Sequence, residues 1–448
     1  MKAYPKCKAI DIEWVKEIPE HWVLNKFSRI ASYQEGPGLR NWQFTNEGIK
    51  VICVTNITES GIDFSKYSKF ISMEEYNKSY KHFTVKIGDL LLSSSGASWG
   101  KVAEFNSDEI VILNTSTIRI NKNENNDIIR EFLKWMLQSE LIKEQLRLLM
   151  TGSCQPNFGP THLDKLVIIY PLDHTEQQKI SHYLEDRTQK IDTLIVKKQK
   201  LIDLLKEERT ATINQVVTKG LNPDVPMKDS GVEWLGEIPK NWKIKKMKNV
   251  ADVKSSNVDK KNSDNEKKVF LCNYLDVYRN EYIDNSFSFM EATANENEIE
   301  KFIVKKGDVL VTKDSETPDD IANPAYIKED LINTICGYHL AQIRANQIEL
   351  IGEYLFRLFQ SKQFNSHFEV SANGITRFGL SIDSFKLVSI PLPPIEEQNQ
   401  ITKYIETSTK KIHRTISRIE KEIELMKEYR TAMISEVVTG KIDVREAV

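Results

Sequence analysis

Residues Glu176 to Thr218 read EQQKISHYLEDRTQKIDTLIVKKQKLIDLLKEERTATINQVVT, and they return at Glu397 to Thr439 as EQNQITKYIETSTKKIHRTISRIEKEIELMKEYRTAMISEVVT. The offset between the copies is constant along the whole stretch, and 21 of the 43 positions are identical. Both copies open on acidic residues after a proline-containing stretch, which suits the positive end of a helix dipole. Both stop at a Gly-Lys pair (Lys219-Gly220, Gly440-Lys441) where glycine can cap. At 1.5 Å per residue each copy spells a rod of roughly 64 Å. In the second rod Ile405, Ile412, Ile419, Met426 and Met433 recur every seven residues, interleaved with Ile416, Ile423 and Val437. The matching seam of the first is Leu184, Ile191, Ile195, Ile202, Leu205 and Val216. Such a heptad predicts that the rods pair as a coiled coil. Arg209 and Arg430 interrupt the two seams at equivalent places; each either fixes register across the seam or snorkels outward.

The repeat extends over the whole chain. Glu13-Trp14, Glu17-Ile18-Pro19 and Trp22 match Glu233-Trp234, Glu237-Ile238-Pro239 and Trp242, and Gly88-Asp89-Leu90-Leu91 matches Gly307-Asp308-Val309-Leu310. The chain is therefore two homologous halves, each a domain followed by a long helix: a first module over 1–170, a central helix over 171–222, a second module over 223–390 and a final helix over 391–448. Between the matching segments, residues 25–165 and 245–385 scarcely align, as expected of two modules that recognise different things on one frame. The fold class is α+β, with two mixed, largely β domains separated by two helices. If the helices pair antiparallel, a pseudo-twofold axis relates the modules. The four tryptophans are expected to pack each module's entry segment against a helix end.

Composition narrows the class. The 448 residues are 40% hydrophobic and 28% charged, and 62 basic against 64 acidic side chains leave a net charge of −2. That is an ordinary globular composition, so any DNA binding requires local concentration of basic groups or a partner that supplies them. The five cysteines lie apart with no C-x-x-C pair, which argues against disulfide staples and thiolate zinc. The amino-terminal residues carry no apolar signal segment and no run approaches a membrane span, so a cytoplasmic protein is expected.

The Glu-Ile-Pro-x-x-Trp motifs at Glu17–Trp22 and Glu237–Trp242, the run Pro391-Leu392-Pro393-Pro394-Ile395-Glu396-Glu397-Gln398, and the Arg-Thr-Ala helix ends resemble the specificity subunit of Type I restriction–modification enzymes. The first copy of the proline run is degenerate, Pro171-Leu172-Asp173-His174. The resemblance implies that each module is a target recognition domain reading one half of a bipartite, asymmetric site in double-stranded DNA. It also implies that the helices set the spacer and dock two methyltransferase subunits. Those subunits use S-adenosylmethionine, restriction subunits using ATP and magnesium join them, and the specificity subunit itself carries no catalysis and no cofactor.

The residues fit that division of labour. Gly96-Ala97-Ser98-Trp99-Gly100-Lys101-Val102 is one residue short of a P-loop and lacks its hydroxyl. Asn323-Pro324-Ala325-Tyr326 approaches an adenine methyltransferase motif, but Ala325 replaces the second proline, and a turn is expected there. No catalytic or metal-binding constellation emerges. Side chains suited to reading bases or holding phosphates are Lys66, Lys69, Lys78 and Lys81 among aromatics; Ser94, Ser95, Ser98 and Lys101 after the strand at 89–92; and Gln155 and Asn157 before the strand at 166–170. In the second module they are Lys313, Ser315, Arg344 and Arg377, with Lys313-Asp314-Ser315 corresponding to Ser93-Ser94-Ser95 and Gly374–Arg377 to Gly152–Asn157. The bland alternatives are solvated faces and turns. The runner-up is of a different class, a coiled-coil interaction scaffold with two protein-binding modules and no DNA contact. A self-sufficient modification enzyme is disfavoured by the missing cofactor loop.

Overall fold

Helices begin and end where the acidic starts and glycine stops place them. The computed structural model describes residues 2–12, 15–59, 61–124, 127–150, 156–260 and 262–447. In it the two repeats are continuous helices, His174–Lys219 and Ile395–Val438. Asp173 opens the first by accepting the Thr175 amide at 2.9 Å. Gly220 and Gly440 close them at φ +79° and +73°. Glycine adopts that conformation without a Cβ penalty. At the second end the Lys441 amide reaches back to Glu436 and that of Gly440 to Val437, which satisfies carbonyls the helix leaves open.

The seam is legible in burial. Ile405, Ile412, Ile416, Ile419, Ile423, Met433 and Val437 are buried, Met426 is half-buried, and the neighbouring Lys410, Lys411, His413 and Arg414 are exposed. The first helix keeps a looser seam: Leu184, Ile202 and Val216 are buried, whereas Ile191, Ile195 and Leu205 are only partly so. Its polar interruptions, such as Lys198, explain the difference.

The chain forms two units, Met1–Lys198 with Glu420–Val448, and Gln199–Ile419, so that packing divides each long helix between them. Within the first unit the helices run antiparallel: Asp192 meets Arg430 and Lys198 meets Glu422, one number rising as the other falls. Of the two readings for the seam arginines, the cross-helix one holds for Arg430, which grips Asp192 with Nε at 3.0 Å and Nη2 at 3.3 Å. Arg209 turns instead to Glu281 of its own unit. The residue equivalent to Asp192 is His413, which offers it no carboxylate.

The modules share a topology that their sequences conceal. In the first, an antiparallel sheet runs in the order Val102–Glu104, Leu90–Ser93, Thr117–Lys122, Ala31–Glu35. In the second, Pro324–Ile327, Asp308–Thr312, Leu340–Ala345 and Ala251–Ser255 repeat that order, with Tyr282–Ile283 added at one edge. A smaller sheet accompanies each, and its parallel pair recurs as well: Val111–Leu113 beside Ile49–Ile52, and Thr334–Cys336 beside Lys267–Cys272. A two-stranded ribbon closes each module, Trp22–Lys26 with Val167–Pro171 and Lys243–Lys246 with Ser389–Leu392. Trp22 and Trp242 are fully buried against helix ends, as their segments suggest, and Trp234 lies beside Phe364. Trp14 falls outside the described residues.

Candidate nucleic-acid interface

In each module three segments meet beyond the end of the central strand. The first is the loop that leaves this strand, Ser94–Gly100 or Lys313–Ala322. Its base is closed by matching hydrogen bonds, Gly100 N to Ser93 O at 2.8 Å and Ala322 N to Thr312 O at 3.0 Å. The second is a residue in the left-handed region just before the next strand, Ser116 at φ +61° or His339 at φ +72°. It accepts from the loop, Ser94 N to Ser116 O at 2.9 Å and Lys313 N to His339 O at 3.0 Å. The third pairs with the loop, Ser95 with Asn157 as a single antiparallel bridge, and Asp314 with Gly379 in a short antiparallel strand pair. The corner is thus one construction made twice with different side chains. Ser95 and Ser116 in the first module become Asp314 and His339 in the second.

The structure sorts the sequence candidates. It brings Ser95 and Asn157 together but shifts the expected correspondence of loops, since Ser94 and Ser95 match Lys313 and Asp314 and Asn157 matches Gly379. Ser98 on this loop and Lys101 just after it are partly exposed. Gln155 lies outside the described residues, as do Gly152, Ser153 and Cys154. Lys66, Lys78 and Lys81 are exposed away from this corner around the smaller sheet, and Lys69 lies over the ring of Phe44 at 4.2 Å. In the second module Lys313 sits over the Tyr338 ring at 5.1 Å and Arg377 is exposed.

Three expectations need correction. Ser94 is fully buried and Ser315 nearly so, because strand pairing turns both inward. Arg344, only partly buried, spends its donors as a strut: its Nε and Nη2 hold the buried Asp308 carboxylate at 2.6 and 2.7 Å, and Nη2 also donates to Ile303 O at 2.9 Å. Gln342 shares that duty, and in the first module Arg119 replaces Gln342, donating to Thr84 O at 2.5 Å and lying 3.6 Å from Asp89. The sequence shows both acids in the repeated Gly-Asp motif but not the strand register that selects their partners. Residues missed by sequence reading are Ser116 and His339, whose only signal is an unusual backbone angle.

The family profile described as Type I restriction modification DNA specificity domain matches residues 19–204 and again 239–425. The chain belongs to this family. Two specificity subunits of Methanocaldococcus jannaschii are similar over nearly their whole length. That of the Type I restriction enzyme MjaVIII is 23% identical over 434 residues, covering 96% of this chain and 94% of the relative. The putative MjaX subunit is 25% identical over 447 residues, covering 96% of each. Among solved structures, a chain from a study titled for assembly and conformational transition of the type I R-M system superposes with TM-score 0.69 at 14% identity, over 95% of this chain and 99% of that one. The HsdS subunit from Thermoanaerobacter tengcongensis gives 0.52 at 15% identity, over 95% and 98%.

Each copy of the specificity domain therefore contains one corner and part of one long helix, the first copy ending within His174–Lys219 and the second within Ile395–Val438. The two near-motifs have structural roles here. Gly96–Ser98 is a single tight turn inside the corner loop. Asn323 leads into the strand Pro324–Ile327 rather than the expected turn, with its amide held by Asp320 at 2.9 Å and Ala325 fully buried. Among the described residues no helix is long and apolar enough to cross a membrane.

Proposed function

We propose that this specificity subunit reads a bipartite, asymmetric DNA site, one half by each module, and that its two long helices set the unread gap and dock two methyltransferase subunits. The observation that carries the reading is the repeated corner with exchanged side chains. One backbone construction presenting Ser95 and Ser116 in one module and Asp314 and His339 in the other suits a device that recognises two unlike half-sites. Base edges in the major groove differ in donors and acceptors, and side chains on short anchored loops are the means of distinguishing them. The near-neutral charge fits a subunit whose phosphate contacts are shared with partners, since those contacts supply much of DNA affinity.

In this reading the chain is non-catalytic and works in the cytoplasm. The methyltransferase subunits bring S-adenosylmethionine and modify adenine, and restriction subunits bring ATP and magnesium. Mapping methylated adenines in the source strain tests it. A two-part asymmetric motif that vanishes when this chain is deleted supports the reading, and an unchanged methylation pattern contradicts it.

A further inference from the structure

We infer that Arg377 reads a guanine in the half-site of the second module, and that His339 and Asp314 position it. The inference rests on the half-site reading above and adds to it a base and a device. Residues 373–379 form a hairpin whose neck is closed by Asn373 N to Gly379 O at 3.1 Å and Gly379 N to Asn373 O at 2.9 Å. Asp314 and Ser315 pair with Gly379 and Phe378, which anchors the hairpin to the corner. Its tip is outermost, with Ile375 95% exposed. Gly374 at φ +152° passes so close that a Cβ there would meet the Arg377 carbonyl oxygen at 1.9 Å. The backbone that carries Arg377 is therefore held before any ligand arrives, and preorganisation lowers the cost of binding.

The side-chain environment is specific. His339 takes a left-handed φ of +72°. That arrangement is costly for a non-glycine residue and concentrated at functional sites. It accompanies an imidazole Nδ1 placed 2.6 Å from Asp314 Oδ2. A carboxylate can only accept, so Nδ1 carries the proton and points at Asp314. Arg377 Nη2 stands 3.4 Å from the same nitrogen. It packs beside the ring without giving it a proton. Arg377 makes no ion pair among the described residues and its side chain is exposed, with one end of the guanidinium packed beside the His339 ring near the Asp314 carboxylate. The planar fork of a guanidinium matches guanine O6 and N7 in the major groove, the commonest specific contact between a side chain and a base. Lys313, over the Tyr338 ring next door, is placed for the adjoining phosphate.

The test is methylome mapping in the source strain carrying single chromosomal substitutions in the full-length chain. Arg377→Ala, on an exposed hairpin tip, should leave the fold intact and lower discrimination for guanine at one position of one half-site by about 10- to 100-fold. The other half-site should be unchanged. His339→Gly tolerates the left-handed backbone and removes only the imidazole; it should weaken discrimination at that same position by a smaller factor, a site-specific effect that general destabilisation does not produce. If Arg377→Ala lowers methylation evenly while the motif stays intact, the residue is a phosphate contact and the inference is overturned with the two-part reading preserved. If the unaltered strain shows no two-part motif, the reading beneath it fails first.

Discussion

Trp22 donates its indole N–H to Glu176 at 3.1 Å, joining the entry segment of the first module to the first turn of the long helix that follows it. Glu176 is buried and also receives Tyr4 Oη and His21 Nε2, each at 2.8 Å. Trp242 and Glu397 repeat the contact at 3.0 Å in the second unit. Replacing Trp22 with Phe removes a hydrogen bond to a charged group and shrinks a buried ring, so a loss of about 2–4 kcal/mol is expected in chemical denaturation. Burial and Glu176 hold the Tyr4 hydroxyl protonated well above the ordinary tyrosine range. Because the folded pKa is the raised one, this contact contributes below the unfolded pKa near 10 and is lost as pH climbs above it. Tyr4→Phe should flatten the alkaline fall in stability, read as denaturation midpoint against pH.

The two helix-capping glycines should differ in how they tolerate alanine. A Cβ on Gly440 would lie 2.4 Å from Pro19 Cδ, part of a rigid ring. On Gly220 the nearest atom is Glu397 Oε1 at 3.0 Å, the end of a side chain that can shift. Both substitutions carry left-handed strain of about 1–2 kcal/mol. Gly440→Ala should cost at least about 1 kcal/mol more than Gly220→Ala, because overpacking adds to the strain. Equal costs in parallel urea titrations would contradict this account of the two corners.

Arg344→Ala should destabilise without altering recognition. It leaves the fully buried Asp308 with Gln342 as its remaining side-chain donor. Breaking such a pair costs about 3–5 kcal/mol. The methylated motif should keep every base. A lost base would return Arg344 to the recognition surface.

The Arg430–Asp192 pair spans the helix seam with the arginine mostly covered and the aspartate half-exposed. A half-exposed pair is screened, so a double-mutant cycle should give a coupling of about 0.5–1 kcal/mol that shrinks with salt. The equivalent cycle between Arg209 and His413 should give none, since Arg209 pairs with Glu281.

Much of the frame was written in local pattern. Helices read over 176–218 and 397–439 appear at His174–Lys219 and Ile395–Val438, because capping and heptad spacing are properties of neighbouring residues. The common sheet order was not legible. It depends on register between distant strands, such as Leu91 with Arg119 and Leu310 with Gln342, where many apolar residues serve equally well. Arg344 was misread for the same reason: the strand register that brings Asp308 beside it joins residues 36 apart. The corner residues Ser116 and His339 escape sequence reading because a left-handed backbone angle has no firm signature outside glycine.

The central claim is that the long helices fix the distance between two readers. Removing seven residues from the middle of each helix shortens the rods by about 10 Å, roughly three base steps at about 3.4 Å. Methylome mapping of that variant should return both half-motifs unchanged with the gap between them reduced by about three base pairs. The same half-motifs at the original gap would contradict the account.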